Sequence, residues 1–243
     1  MALTTRSYWK RVWHGRETKS VSHVPFAGLF EEYLNWSPGK SAIEFGCIPG
    51  DFLVFLNKRF GFKVSGIDFN PETDILVQNF KANGIVDYTF YNLDVRDWKP
   101  DIQYDLVCSF GLVEHFQNPM EVIRKHVEAM KSGGLLIIEM PNLRYGQYLL
   151  HILLDRESLA RHNLNIMDLD TVSEMLSKLG LKVLLADYNS LFGFYIGSKP
   201  KDLMPKQGIV RVLQVITNLV SLLDINAPSR FFSPFMVWIA RKP

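Results

Sequence analysis

Ser41-Ala42-Ile43-Glu44-Phe45-Gly46-Cys47-Ile48-Pro49-Gly50-Asp51-Phe52 is the stretch that decides the fold. Residues 41–46 form a short apolar run that stops at a glycine, the pattern of a buried strand. Asp51–Phe60 has helical spacing and stops at Gly61, so a strand feeds a helix through a glycine turn. Working outward, the alternation repeats. Phe62–Asp68 is a second strand, and Asn70-Pro71 caps and opens a helix ending near Gly84, because proline suits the first helical position. Val86–Leu93 and Tyr104–Phe110 read as the third and fourth strands. Asn118-Pro119 opens a helix with Val122, Ile123, His126, Val127 and Met130 on one face, and Gly133-Gly134 ends it. Leu135–Met140 is a fifth strand. A capping-box spacing from Thr171 to Glu174 starts a helix that Gly180 closes, and Leu181–Ala186 and Phe235–Ala240 are the last two strands.

Strands that are apolar on both faces and alternate with helices predict a mostly parallel sheet covered on both sides. The fold class is therefore α/β, a Rossmann-like doubly wound sheet of seven strands with helices on both faces. The expected organisation is an N-terminal helical cap or lid over 1–40 and a main domain over 41–243. Within the main domain, substrate-covering insertions are expected at about 141–167 and 203–230. Trp9, Trp13 and Trp36 mark the first region. With 243 residues, 47% hydrophobic and 21% charged, the chain can bury a sizeable core, which excludes disordered and collagen-like classes.

A net charge of +2 with no basic stripe argues against a nucleic-acid partner. Two cysteines outside any Cys-x-x-Cys pair point to a reducing, cytoplasmic setting. The first residues lack the apolar core of a secretory signal, and no run approaches the roughly 18 apolar residues of a spanning helix. Ile209–Ile225 comes nearest, but Arg211, Gln214, Asn218, Ser221 and Asp224 interrupt it at helical spacing. Its stripe of Ile209, Val212, Leu213, Ile216, Val220 and Leu223 predicts an amphipathic helix packed on its own fold, with a homodimer interface or lipid groove as the other uses.

In an open α/β sheet, ligands bind beyond the carboxyl ends of the strands. The glycine turn after the first strand lets a ligand approach the backbone, and Asp68, ending the second strand, suits the two ribose hydroxyls of a nucleoside. A dinucleotide fingerprint would need glycine where Gly46, Ile48 and Asp51 stand, and two of the three positions fail, which argues against NAD and FAD.

Glu44-x-Gly46-x-x-Pro49-Gly50 followed by Gly66-Ile67-Asp68-Phe69-Asn70-Pro71 resembles the first two motifs of class I S-adenosylmethionine-dependent methyltransferases. Asn92-Leu93-Asp94-Val95 is similar to the acidic motif after the third strand, and Tyr104–Phe116, ending in Glu114-His115-Phe116, to the fourth-strand motif. Gly133–Ile138 fits the fifth. The resemblance implies S-adenosylmethionine as cofactor and S-adenosylhomocysteine as product. It assigns Glu44 and the Gly46 backbone to the methionyl ammonium end, with Cys47 and Gly50 in the same loop. Asp68 goes to the ribose, Phe69 to the adenine face, Asp94 and Val95 to the adenine edge, and Ser109 and Phe110 to the methionyl pocket. One departure stands out: the family's middle glycine is Ile48 here. Either the loop takes another path or cofactor affinity falls.

His115, just past the fourth strand, and His162, in the 141–167 segment, are the candidate catalytic bases. His162 is favoured because its segment is expected over the acceptor. Glu114-His115 is also similar to the pair in ubiquinone-pathway O-methyltransferases, where a further Glu three residues earlier helps hold a divalent metal. Here that position is Gly111, and two donors make a poor site, so no metal is expected. The segment from Pro141 to Met167 looks similar to methyltransferases of bacterial glycan and secondary-metabolite pathways. The reading is methylation, at a hydroxyl, of a small polar molecule such as a sugar or glycan precursor. A non-catalytic cofactor-binding module and a lipid-acceptor methyltransferase are the alternatives.

Overall fold

Alternate side chains of β1 (Ser41–Phe45) enter two different cores, which is why Ala42, Ile43 and Phe45 are all apolar. Ile43 and Phe45 pack with Val107, Leu136, Ile138 and Trp238 on one face. Ala42 joins Val64, Leu106, Ile137 and Ile239 on the other. The computed structural model describes residues 1–189, 193, 207–222 and 228–243. β2 (Lys63–Ile67), β3 (Tyr88–Tyr91), β4 (Tyr104–Phe110), β5 (Met130–Pro141), β6 (Lys182–Asn189) and β7 (Phe235–Arg241) complete a seven-stranded sheet in the order β3-β2-β1-β4-β5-β7-β6. β1 to β5 pair in parallel, and β7 runs antiparallel to both β5 and β6.

α1 (Arg6–Trp13) and α2 (Ala27–Tyr33) precede the sheet. Phe30 of α2, with α3 (Asp51–Phe60) and α4 (Thr73–Ala82), covers the face that carries Ala42. α5 (Pro119–Ala129) and, beyond the 141–167 segment, α8 (Leu169–Lys178) cover the face that carries Phe45. The 141–167 segment is helical rather than a plain connection: α6 (Tyr145–Leu154), α7 (Arg156–Ala160) and one 3-10 turn at Leu164–Ile166. The strand sequence runs away from β1 in both directions, through β2 to β3 and through β4 to β5. That reversal opens a crevice at the carboxyl ends of β1 and β4.

β3 is shorter than the expected Val86–Leu93 and β6 runs past the expected Ala186, and three further boundaries differ for a local reason. α4 starts at Thr73 because Asn70 forms a side-chain turn first, its Oδ1 accepting from the Glu72 N–H at 3.0 Å. α8 is capped by Asp168, whose Oδ1 accepts the Thr171 N–H at 3.1 Å, so the Thr171–Glu174 spacing is not the cap. β5 begins at Met130, directly after α5, because Met130 already pairs with Tyr104.

α9 (Gln207–Leu222) covers most of the amphipathic stretch, and the Leu223–Ile225 part of that reading lies outside the described residues. Ile209 is 54% and Val212 59% exposed, so packing on the chain's own fold does not account for these two stripe residues. Among the described residues no helix is long and apolar enough to cross a membrane.

Candidate functional site

A cavity of about 410 Å³ fills the crevice, and the loop between β1 and α3 forms its floor. Gly46 turns that loop at φ +74°, and a Cβ there would lie 3.0 Å from a Leu112 methyl carbon that also lines the cavity. Gly50 has φ +94° and begins α3 behind the wall, with Phe80 2.8 Å from where its Cβ would be. Ile48 needs no left-handed backbone, because the positive φ values fall on Gly46 and Gly50 instead. Its side chain is 3% exposed in the core and its N–H donates to Asp68 Oδ2 at 3.0 Å. Ile48 thus fits the turn without a strained backbone, and it also lines the cavity.

Asp68 ties two loops together. Oδ2 holds Ile48 and Oδ1 accepts the Asn70 N–H at 2.8 Å. Burial raises its pKa to about 6, against those two backbone bonds, which pull it down. Glu44 is 3% exposed and its Oε2 has no hydrogen-bond partner. Burial, then the charges of Asp51 and Asp68, push its carboxyl well above the ordinary range. Asp94 lines the cavity, but Arg96 grips it through Nε at 3.0 Å and Nη2 at 2.7 Å. Burial would raise Asp94, and the Arg96 hydrogen bonds outweigh it, leaving the group below its usual value.

Phe69, Val95 and Cys47 also face the cavity, and Arg6 Nε fixes the Phe69 carbonyl at 2.7 Å. The Gly46 N–H is committed to the Ile67 carbonyl at 2.8 Å. Phe110 stacks on Phe52 at 3.8 Å, and both rings form wall. Ser109 does not: it is fully buried within β4, and its Oγ has no partner. Of the two histidines, only His115 reaches the cavity. His162 sits behind it, ring centroids 4.4 Å apart, and does not line the wall, contrary to the expectation that its segment covers the acceptor.

Each histidine donates Nδ1–H to a backbone carbonyl, His115 to Arg161 at 2.8 Å and His162 to Ser158 at 2.5 Å. A carbonyl only accepts, so both rings keep the Nε2 lone pair. Burial above all lowers His115 to about 3 and His162 to about 4, and both are neutral at pH 7. Glu114, beside them, is fully buried with both carboxylate oxygens unpartnered, and burial lifts it to about 8.

The outer wall comes from the N-terminal segment: Thr4, Trp9, Trp13, Arg16, Lys19 and Pro25. Main-chain bonds hold that segment down, from Leu3 N–H to the His115 carbonyl at 2.7 Å and from Gln117 N–H to the Met1 carbonyl at 3.0 Å. Asn83 holds its far end, accepting from Val21 N–H at 2.9 Å and donating to the Lys19 carbonyl at 3.0 Å. Arg16 and Lys19 escaped the sequence reading, since nothing marks a basic residue after an aromatic helix as facing inward. Glu139 escaped it too: it ends the apolar run of β5, 4% exposed, with Oε1 unpartnered.

This crevice, on this strand order, is that of a class I S-adenosylmethionine-dependent methyltransferase. The chain belongs to that family: its methyltransferase-domain profile matches residues 20–186, and S-adenosylmethionine is the cofactor. Trans-aconitate 2-methyltransferase of Rhizobium rhizogenes is 30% identical over 101 residues, 42% of this chain and 38% of that protein. The mitochondrial ubiquinone biosynthesis O-methyltransferase of Dictyostelium discoideum is 25% identical over 159 residues, 59% of this chain and 44% of that one. The matched stretches thus span well under two thirds of these relatives. Phosphoethanolamine N-methyltransferase 2 of Haemonchus contortus, solved with S-adenosyl-L-methionine, superposes with a TM-score of 0.65 at 13% identity over 98% of this chain and 56% of that one. At that identity the likeness is one of fold.

Proposed function

We propose that this protein methylates an oxygen of a small polar acceptor, such as a sugar, a glycan precursor or a secondary metabolite. One observation carries the reading. A single cavity joins an inner wall of Glu44, Asp68 and Asp94 to an outer wall of Trp9, Trp13, Arg16 and His115. The inner residues suit the cofactor. The unpartnered Glu44 Oε2 accepts from an ammonium, and the Asp68 oxygens each hold one backbone N–H and keep a lone pair for a ribose hydroxyl. Phe69, Val95 and Asp94 line the stretch that suits an adenine. At about 410 Å³ for cofactor and acceptor together, the acceptor is small.

When bound, S-adenosylmethionine supplies an electrophilic methyl carbon, which bonds to the acceptor oxygen as the C–S electron pair returns to sulfur. The chain's own task is to align that oxygen and take its proton. His115 Nε2, on the cavity wall, is the lone pair placed to accept that proton, but burial holds its pKa at about 3, a weak base, so proton loss has to be concerted with methyl transfer; His162 stands behind it. Trp9 and Trp13 supply flat apolar faces of the kind that stack on a sugar ring.

Lys19, beside an Arg16 that already pairs with Asp51 at 2.5 Å, supports a second reading, a carboxylate acceptor, which is already ionised and needs no base. The likeness to a trans-aconitate methyltransferase points the same way. The experiment measures S-adenosylhomocysteine release with a panel of sugar hydroxyl and polycarboxylate acceptors. His115→Asn should lower turnover of a hydroxyl acceptor by ~10²–10⁴ while leaving cofactor affinity unchanged. Full turnover of a polycarboxylate by that variant would favour the second reading. Tight cofactor binding with no turnover of any acceptor would overturn both and leave a binding module.

A further inference from the structure

Glu114, His115 and His162 each offer a ligand atom within 4.8 Å of the other two, and Glu114 Oε1 lies 4.0 Å from His115 Nε2. Only Glu114 and His115 are neighbours in the chain. The third donor arrives because the α7 segment is sewn onto the turn after β4: Asn163 N–H donates to the Glu114 carbonyl at 2.7 Å and Asn163 Nδ2 to the Phe116 carbonyl at 3.1 Å.

We propose that Glu114, His115 and His162 form a binding site for one divalent transition-metal ion at the acceptor end of the cavity. Two imidazoles and one carboxylate are a donor set that zinc and its first-row neighbours accept, with the remaining positions open. Three features of this site are those of a built metal site. Both rings have the Nδ1–H···O=C bond that orients a ligating histidine and leaves Nε2 for the ion. The Glu114 carboxylate is fully buried with neither oxygen satisfied, an arrangement that costs several kcal/mol unless a cation or donor meets it. His115 lines the cavity, so the open position of the ion faces the acceptor.

Donors around a four-coordinate ion with bonds near 2.0–2.1 Å stand roughly 3.3 Å apart, so the three groups must close by about an ångström. Glu114 makes no side-chain bond that would resist this. The Arg161 charge acts on both histidines and opposes a cation there, but its guanidinium is paired with Glu157 at 3.2 Å and Asp155 at 4.0 Å, while Glu139 adds a second buried carboxylate that acts on Glu114. Binding of the ion stands apart from the methyl-transfer reading. Its role rests on that reading and changes one part of it: with the ion bound, His115 Nε2 is a ligand and not the proton acceptor, and the ion would instead hold the acceptor oxygen and make its proton easier to lose.

The test is titration of chelator-treated full-length protein with Co²⁺, followed by visible absorption and by calorimetry, with Zn²⁺ as competitor. The expected result is one ion per chain with the absorption of a four- or five-coordinate site, displaced by Zn²⁺. His162→Gln and Glu114→Gln should each weaken Co²⁺ binding at least about 100-fold, beyond the 10–100-fold cost of losing a supporting partner. Thermal melting and S-adenosylhomocysteine affinity, measured on the same samples, report that fold and cofactor site are intact. Absence of stoichiometric Co²⁺ binding in the wild type, or equal binding by a folded His162→Gln variant, would overturn the site. Neither result touches the methyl-transfer proposal, which fails only on turnover.

Discussion

Lowering the pH should weaken cofactor binding through Asp68, and the size of the effect follows from its surroundings. Burial raises the carboxyl to about 6 in the free protein. Ribose hydroxyls donate to the ionised form, so bound cofactor returns the group towards the ordinary carboxylate value near 3.9. The sign is then fixed: the free protein takes up a proton as pH falls through about 6, the complex does not, and affinity falls. At one pH unit below the free-state pKa the dissociation constant rises about tenfold over its value at neutral pH, or about 1.4 kcal/mol. Below about pH 4 the complex protonates as well and the curve levels. Titration with S-adenosylhomocysteine between pH 4.5 and 7 can be followed by the fluorescence of Trp9 and Trp13, which line the cavity. Asp68→Asn is the control, because an amide of the same shape has no charge to titrate. Its affinity at pH 7 should be at least tenfold weaker, through loss of charge-assisted bonds and of one of the two backbone N–H partners. Glu44 also titrates in this cavity, so the difference between wild type and variant is the quantity to read. An acid-side slope that persists unchanged in Asp68→Asn, or a flat wild-type curve, refutes the assignment of Asp68 to the ribose.

Ile48→Gly, restoring the family's glycine, should not tighten cofactor binding. It removes a buried side chain and should cost about 2–5 kcal/mol of stability, seen as a lower Tm; tighter binding by an equally stable variant would show that Ile48 crowds the cofactor. Asn83→Ala removes the staple on residues 19–21 and a further bond from Lys58 Nζ at 2.8 Å. Stability should fall by about 1–3 kcal/mol, and limited proteolysis within 14–24 should quicken well before global unfolding; an unchanged cleavage rate would show that other contacts hold the segment.

The elements legible in the sequence were those with both a pattern and a punctuation mark. β4 (Tyr104–Phe110) and α3 (Asp51–Phe60) match residue for residue, because an apolar run or a periodic face ends at Gly111 and Gly61. α6 was unreadable for the opposite reason. Tyr145–Leu154 is apolar nearly all round and starts without a side-chain cap, so there was neither a period nor a start signal. At the site, Asp68 directly follows the end of β2 and could be read from its place there, while Glu44, inside β1, and Asp94, three residues past β3, needed the family motifs. His162 could be read from neither. Its place behind His115 depends on how α6 and α7 double back, which no local pattern encodes. Ser109 failed by one residue of strand parity. It lies within β4, while its neighbour Phe110 faces the cavity.

The position of β7 sets an order of events during synthesis. β7 emerges after β6 but lies between β5 and β6, pairing Ile137 with Ile239 on one side and Leu185 with Ile239 on the other. Until residues 235–241 leave the ribosome, β6 has no strand to join and β5 exposes an edge of buried-type side chains. The five parallel strands that build the cofactor crevice are complete by Pro141, about a hundred residues earlier. A nascent chain could thus form its crevice while still carrying an open sheet edge, and the interval before β7 arrives is when aggregation competes with folding. Shortening the chain within 235–241 should therefore harm yield more than it harms the chemistry of the crevice, because it leaves that edge open for good.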